Sequence, residues 1–195
     1  MMTESDVIAR AIQKDEAAQR ALYETHFAAA FRLAYLLLQD AGEAEETVHD
    51  AFVYLFRNLQ RYDPARGSFW AWLRVTLVSR CRNRRRGLRP DVVPLDRVET
   101  ADPRAGNDPA RVLELHGVQQ PVWTALQQLS PGTRAAMILR YYEELPYAEI
   151  APLLGCSEEA ARARVAHGKV QLRRLLGGTE AAPLPAHPAG RVVKA

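Results

Sequence analysis

Apolar residues recur along this chain at intervals of three and four, the spacing that places side chains on one face of an α-helix. The clearest stretch has apolar or small residues at positions 44, 47, 48, 51, 52, 55, 56 and 59. No stretch keeps the two-residue alternation of a half-buried strand for more than a few positions. The pattern therefore predicts an all-α protein.

Four helices are predicted in the first part of the chain. Ser5 and Asp15 are the candidate N-caps of the first two, and the second helix is expected to stop near Gly42. The third helix covers the stretch just described, and Ser68 is the candidate N-cap of the fourth. The inward positions of the fourth are Phe69, Trp72, Leu73, Thr76, Leu77 and Cys81, whereas Trp70 lies off this stripe and is expected to be exposed.

The second part of the chain is also helical. An apolar stripe at Val118, Val122, Leu126 and Leu129 precedes Ser130-Pro131, a cap followed by proline at the first helical position. A short helix then begins near Tyr147, Gly155 turns the chain, and Ser157 caps a long last helix. Helix, tight glycine turn and second helix, from 147 to 176, have the spacing of a helix-turn-helix.

Four prolines and few large apolar residues separate these two parts. We therefore predict two small helical domains at 1–87 and 115–178, a flexible acidic linker at 88–114, and a disordered tail at 179–195. The linker is acidic because its six Asp and Glu residues outnumber its arginines.

Composition is ordinary for a globular protein, with 48% hydrophobic and 25% charged residues. No apolar run approaches the roughly 20 residues of a membrane span, and the N-terminus has no secretory pattern, so we expect a cytoplasmic protein without membrane insertion. Two cysteines cannot form a disulfide framework or a zinc site. Nucleotide-binding and nucleophile motifs are also missing, so we expect no metal, no cofactor and no enzymatic activity.

Charge is unevenly distributed although the net charge is only +3. Seven arginines and no acid lie between Arg74 and Arg89, and five acids and no Lys or Arg lie between Asp40 and Asp50. A basic block indicates a polyanion, and a separate acidic block indicates a second, basic partner. Two solvated faces would be the simpler explanation of composition alone.

The last helix is the candidate DNA reader. Its inward side is predicted to hold Ala161, Val165, Gly168, Leu172 and Leu175. Its outward side combines small residues with cations, which would let the helix lie close to base edges in a major groove. The outward and flanking residues are Glu159, Arg162, Ala163, Arg164, Ala166, His167 and Lys169.

Two further surfaces are predicted in the first domain. Aromatic residues beside the arginine block would form a stacking platform for unpaired bases. On the third helix, Glu46, His49, Asp50 and Val53 share the face opposite the core, which suits docking on a basic helical partner.

Several motifs, in order, resemble the extracytoplasmic-function (group IV) sigma factors of bacterial RNA polymerase. Residues 44–52, AEETVHDAF, are similar to the family's core-binding motif D-A-E-D-L-V-Q-E-x-F, and residues 67–73, GSFWAWL, resemble G-x-F-x-A-W-L. In the second domain, LSPGTR at 129–134, LRY at 139–141 and YAEIAPLLG at 147–155 are similar to L-P-x-x-x-R, L-R-Y and Y-x-E-I-A-x-x-L-G.

The resemblance implies a promoter-reading subunit that binds core RNA polymerase, through its clamp and flap, together with promoter DNA, and that is controlled by an anti-sigma factor. The first domain would be sigma region 2, docking on polymerase and opening the minus-ten element, and the second would be region 4, reading the minus-thirty-five element. The implied polymerase contacts are Glu46, His49, Asp50 and Phe52. The implied minus-ten contacts are Trp70, Ser79, Arg80, Asn83, Arg84 and Arg86, and the implied minus-thirty-five contacts are Arg162, Ala163, Arg164, Ala166, His167 and Lys169, with Arg140 on a phosphate.

The chain also departs from the family pattern. His49 stands where Gln is usual, Ser79 where Asn is usual, and Ala163 where Ser is usual. The promoter sequence therefore cannot be copied from other members. Two other functions remain open at this point: a stand-alone helix-turn-helix regulator that binds duplex DNA, and a helical module that sequesters a regulator without touching DNA.

Overall fold

Side-chain caps begin most of the helices of this protein, seen here in a computed structural model that describes residues 3–87 and 120–177. Those residues contain eight α-helices and no strand, which confirms the all-α prediction. The chain divides into two units, Met1–Leu88 and Arg89–Ala195. The linker predicted at 88–114 and the tail predicted at 179–195 lie outside the described residues.

The first unit is a bundle of four helices. They are α1 (Glu4–Ile12), α2 (Glu16–Leu38), α3 (Ala41–Arg57) and α4 (Phe69–Arg85), with short 3-10 turns at Leu59–Arg61 and Pro64–Arg66 between α3 and α4. Asp15 and Ser68 accept hydrogen bonds from the backbone amides of Ala18 and Ala71, as their predicted N-cap roles require.

Two predicted helix ends in this unit are wrong. Thr3, not Ser5, caps α1: its hydroxyl accepts from the Asp6 amide while the Asp6 carboxylate accepts from the Thr3 amide at 2.9 Å. This reciprocal capping box satisfies two free amides together. Helix α2 ends at Leu38 rather than near Gly42, because Gln39 is left-handed (φ 66°) and Asp40 caps a new helix that includes Gly42.

The core of the first unit comes from the apolar faces of α2, α3 and α4. Its most deeply buried side chains include Leu33, Phe52, Leu55, Phe69 and Leu73. On α1, Ile8 and Ala11 are buried, whereas Ile12 is 41% exposed.

The two tryptophans of α4 exchange their predicted environments. Trp70 is buried, at 9% exposure, whereas Trp72 and Thr76 are half-buried. The reason is that α2 covers a second side of α4, which the periodicity of α4 alone does not show. His26 on α2 stacks on Trp70, with ring centroids 6.3 Å apart. Packing between α2 and α4 therefore covers the side of α4 that carries Trp70.

The second unit contains α5 (Gln120–Gln127), α6 (Pro131–Tyr141), α7 (Tyr147–Leu154) and α8 (Glu158–Leu175). Ser130 and Ser157 cap α6 and α8, as predicted. Gly155, at φ 61°, ends α7 in the left-handed conformation and makes the tight turn of a helix-turn-helix. Leu126, Ile138, Leu139 and Ile150 are completely buried beneath α8 and its neighbours.

The predicted inward stripe of α8 is confirmed except at its C-terminal end. Ala161, Val165, Gly168 and Leu172 are buried, but Leu175 is 41% exposed. Leu175 borders an open groove with Gln120 and Pro121, so no helix of the described part covers its side chain fully. Val118, also expected on the inward stripe of this unit, lies outside the described residues.

Candidate nucleic-acid and polymerase interfaces

Helix α8 presents one exposed face with small side chains between cations. Arg162, Ala163, Ala166, His167 and Lys169 are exposed, and Arg164 is half-buried at the edge. The residues chosen from the sequence for base reading therefore share one accessible face, opposite the buried stripe.

Tyr147, the first residue of α7, lies against two of the predicted DNA-binding arginines. The guanidinium carbon of Arg162 is 4.6 Å from the centroid of the tyrosine ring, and that of Arg140 is 5.1 Å from it. Arg162 also forms an ion pair with Glu158, and Arg140 donates to the Leu145 carbonyl at 2.9 Å. From the sequence, Tyr147 was the start of a short helix and of the motif at 147–155; its contact with both arginines could be found only in the fold.

The two remaining cations of this face are held differently. The ammonium of Lys169 lies 5.4 Å from the Tyr141 ring centroid. The Arg164 guanidinium lies over Gly132, whose missing Cβ would be 3.7 Å from the guanidinium carbon. Both groups therefore lie against α6, at the two edges of the exposed face of α8.

Helix α4 offers a second exposed face. Trp72 and Ser79 are half-buried, Val75 is 48% exposed and Arg86 is exposed. With Asn83, these positions follow the three- and four-residue spacing of one helical face. Trp72 and Val75 were not predicted for this surface from the sequence, although their spacing from Ser79 places them there.

Arg84 does not share that exposed face. Its Nη1 donates to the Thr47 hydroxyl at 3.3 Å, and its Nη2 forms an ion pair with Glu46. One residue chosen for DNA binding is therefore paired with one chosen for polymerase binding, and the pair joins α4 to α3. Arg80, by contrast, lies 5.2 Å from the Tyr54 ring centroid, and burial lowers the pKa of its guanidinium.

The acidic face of α3 is accessible only in part. The Glu46 side chain is 66% exposed and Asp50 is half-buried. Phe52 is 2% exposed, so its ring lies in the core and not on the accessible face. The physical reason is its position four residues after Val48, on the buried stripe of the same helix.

His49 is not on an open polar face either. It lies between aromatic rings, with centroid distances of 5.8 Å to Tyr23 and 5.9 Å to Phe27. The Tyr23 hydroxyl is 3.4 Å from His49 Nδ1, and burial raises the pKa of Tyr23 to about 12. His49 therefore has Nδ1 in the aromatic cluster and Nε2 3.8 Å from the Glu45 carboxylate, one turn earlier on α3.

Aromatic side chains also support the loop that precedes α4. Tyr62 donates a hydrogen bond to the Gly67 carbonyl at 3.1 Å and packs against Phe69 and Trp72. Gly67, at φ 144°, has a backbone conformation that favours glycine. Below this loop, burial lowers the pKa of His26 despite the Glu4 carboxylate 3.0 Å from its Nε2.

Other chemistry is not indicated by the described residues. Within 3–87 and 120–177, no three His, Cys, Asp or Glu side chains come together in a way that could hold a metal ion. Burial raises the pKa of Cys81 to about 12, which leaves its thiol protonated and unreactive. In the same part of the chain, no helix has the length and apolar character to span a membrane.

Comparison with known proteins places both units in sigma-factor families. Residues 22–90 match the family model Sigma-70 region 2, and residues 119–172 match Sigma-70, region 4. The chain is 34% identical over 160 residues to the ECF RNA polymerase sigma factor SigE of Mycolicibacterium smegmatis, covering 80% of this chain but only 60% of that protein. It is 30% identical over 177 residues to the ECF RNA polymerase sigma factor SigK of Mycolicibacterium vanbaalenii, covering 89% of this chain and 90% of that protein.

Solved structures support the fold. CnrH in complex with the cytosolic domain of CnrY matches with a TM-score of 0.58 at 24% identity, covering 89% of this chain and 97% of that one. RpoE in complex with the anti-sigma factor NepR from Bartonella quintana matches with a TM-score of 0.55 at 20% identity, covering 83% and 98%. With the motifs, the helix-turn-helix and the near full-length match to SigK, these findings show that the chain belongs to the ECF RNA polymerase sigma factors.

Proposed function

We propose that this chain binds core RNA polymerase and directs it to promoters with separate minus-ten and minus-thirty-five elements. The chain itself carries no catalytic activity, because phosphodiester synthesis belongs to polymerase. The observation that carries the proposal is the exposed face of α8, where Ala163 and Ala166 leave room for base edges between Arg162 and Lys169.

In the second unit, α8 reads the minus-thirty-five element from the major groove. Arg162, Ala163, Arg164, Ala166 and His167 face the bases, and Lys169 and Arg140 lie near phosphates. A forked guanidinium suits bidentate contact with guanine, and small neighbours let the helix approach closely.

In the first unit, the exposed face of α4 holds the opened minus-ten strand. Ser79, Asn83 and Arg86 supply polar contacts, and Trp72 and Val75 supply a stacking and apolar surface. Arg80 stays at the edge of this face. Trp70 and Arg84 do not lie on this face. Trp70 supports it from the core, and Arg84 supports it through its bridge to α3.

The acidic face of α3 docks on polymerase, with Glu46 and Asp50 as direct contacts and His49 at their edge. Phe52 supports that face from the core. The polymerase clamp binds the first unit, and the polymerase flap binds the second. Because RpoE was solved with an anti-sigma factor, we propose a partner of that class for this cytoplasmic protein as well.

Transcription in vitro on a randomised promoter library tests the proposal. With core polymerase, the chain should select both elements; without core it should show little specific binding. If it instead binds a palindromic duplex tightly without polymerase, it is a stand-alone regulator. If it stays folded but does not bind core, the proposal is wrong.

Two arginine variants in the same assay test the assigned roles. Arg162→Ala should relax preference at one position of the minus-thirty-five element, at a cost of about 1–3 kcal/mol. Arg140→Ala should weaken all promoters alike and reduce the salt dependence of binding. Arg20→Ala, at an exposed position of α2 in the first unit, is the control. Unchanged preference in Arg162→Ala would contradict the assignment.

A variant pair tests the acidic face separately. Asp50→Lys should weaken binding to core polymerase, whereas Glu24→Lys, on an exposed position of α2, should not. Equal binding by both variants would remove α3 from the polymerase interface.

A further inference from the structure

Tyr147 lies where three helices of the second unit meet. Its ring, at the start of α7, contacts Arg140 from α6 and Arg162 from α8. We propose that Tyr147 is a positioning residue that orients both arginines towards DNA. It thereby sets the distance between the phosphate contact of Arg140 and the base contact of Arg162. This inference rests on the proposed function.

The contacts on each arginine fix its direction as well as its position. Arg162 is held on one side by the ring and on another by the Glu158 carboxylate, one helical turn earlier on α8. Arg140 is held by the same ring and by the Leu145 carbonyl, in the turn before α7. Each guanidinium thus loses much of the rotational freedom that a long exposed side chain would otherwise have.

The ring is the element that the two arginines share. A guanidinium is attracted to the face of an aromatic ring by the ring quadrupole, so an aliphatic side chain of similar size cannot replace it. Both guanidinium groups lie close to the N-terminal end of α7, where the helix dipole disfavours positive charge. The attraction of the ring for the cations offsets this unfavourable position.

The arrangement has a consequence for promoter recognition. A base-reading arginine contributes to specificity only if its fork reaches one base pair in a fixed register, and phosphate contacts set that register. Because one ring holds both groups, Tyr147 affects discrimination between sequences and not only the strength of binding.

The test compares Tyr147→Leu with Tyr147→Phe in holoenzyme formed from the full chain and core polymerase. Tyr147→Leu should reduce discrimination at the base pair that Arg162 reads by about two- to fivefold, the size of a cation–π contact at an exposed site. Tyr147→Phe, which keeps the ring, should behave as the wild type. Tyr141→Leu, which removes the ring beneath Lys169, is the matched control and should leave that discrimination unchanged.

A double-mutant cycle shows whether Tyr147 acts through Arg162. Once Arg162→Ala is in place, Tyr147→Leu should cause no further loss of discrimination at that base pair. If Tyr147→Leu weakens all promoter sequences evenly, or if Tyr141→Leu causes the same loss of discrimination, the proposal is overturned.

Replacing Tyr147 with a series of fluorinated phenylalanines covers the case in which Tyr147→Leu fails to fold. Fluorine weakens the ring quadrupole with little change of shape, so discrimination should fall stepwise along the series. Constant discrimination along the series would overturn the proposal. The proposed function fails separately, when the wild-type chain gives no polymerase-dependent start at all.

Discussion

At the scale of single residues, a close contact between two helices of this protein depends on a glycine, which has no Cβ atom. Gly168 lies in the middle of α8, where glycine ordinarily weakens a helix. A Cβ at this position would be 2.7 Å from Met137 Cγ and 3.0 Å from Thr133 Cγ2. Gly168 therefore lets α8 approach α6 closely, and this close approach positions the exposed face of α8.

Gly168→Ala should lower the free energy of unfolding by about 1–3 kcal/mol, because overpacking against the buried Met137 outweighs the gain in helix propensity. Gly42→Ala is the matched control: its nearest neighbour, Asp40 Oδ1, is 3.4 Å away, so alanine should raise stability by about 0.5 kcal/mol. Urea unfolding measures both. Stabilisation by Gly168→Ala would show that the interface relaxes without cost.

His26 gives the first unit a pH dependence of known sign. Burial lowers its pKa in the folded protein, so the unfolded chain binds more protons in the interval below the ordinary histidine pKa of about 6.5. Its contribution to stability should be complete above pH 6.5 and be lost as pH falls through the lowered pKa.

Unfolding midpoints at pH 7.5 and pH 5.5 measure this dependence. His26→Gln should reduce the loss of stability on acidification, whereas His167→Gln, at an exposed position of α8, should not change it. An equal loss in His26→Gln and wild type would assign the pH dependence to other groups.

At the scale of elements, α3 and α4 form one unit rather than an acidic helix beside a basic one. The Arg84–Glu46 ion pair and the Arg84–Thr47 hydrogen bond cross between them. The face proposed for polymerase and the face proposed for the minus-ten element are therefore linked through the part of α4 that follows its apolar stripe.

Arg84→Ala and Arg86→Ala should have different effects. Arg84→Ala should lower the free energy of unfolding by up to about 1 kcal/mol, since the pair is partly solvent-exposed. Arg86→Ala should leave stability unchanged but weaken promoter binding and reduce its salt slope by about 1. Thermal unfolding and salt-dependent promoter binding separate the two roles; a reversed pattern would place Arg84 on DNA.

At the scale of the whole molecule, the DNA-binding surfaces proposed for the two units differ in composition. The face of α4 combines aromatic, apolar and polar side chains, whereas the face of α8 combines small side chains and cations. The first composition suits unpaired bases and the second suits an intact major groove.

Exchange of one unit tests this division. Replacing residues 115–178 with the matching segment of the SigK relative should transfer that protein's minus-thirty-five preference and leave the minus-ten preference unchanged. Sequencing of transcripts from a promoter library gives both preferences at once. A joint change of both would show that the elements are not read independently.

Which features of this protein can be predicted from its sequence depends on the range of the interactions that form them. Helix periodicity and caps are local, so Asp15, Ser68, Ser130 and Ser157 were assigned correctly from the sequence. The left-handed residue at Gln39 carries no glycine signal, and the predicted end of α2 was therefore wrong.

Sequence by itself determined the all-α class, the helix-turn-helix, the motifs of the family and the outward residues of α8, because each depends on spacing within one helix or on neighbouring residues. Tertiary structure alone decided which tryptophan of α4 is buried, that Arg84 reaches across to α3, and that Tyr147 contacts two arginines. These outcomes depend on which second helix covers a given side, and periodicity within one helix carries no information about that neighbour.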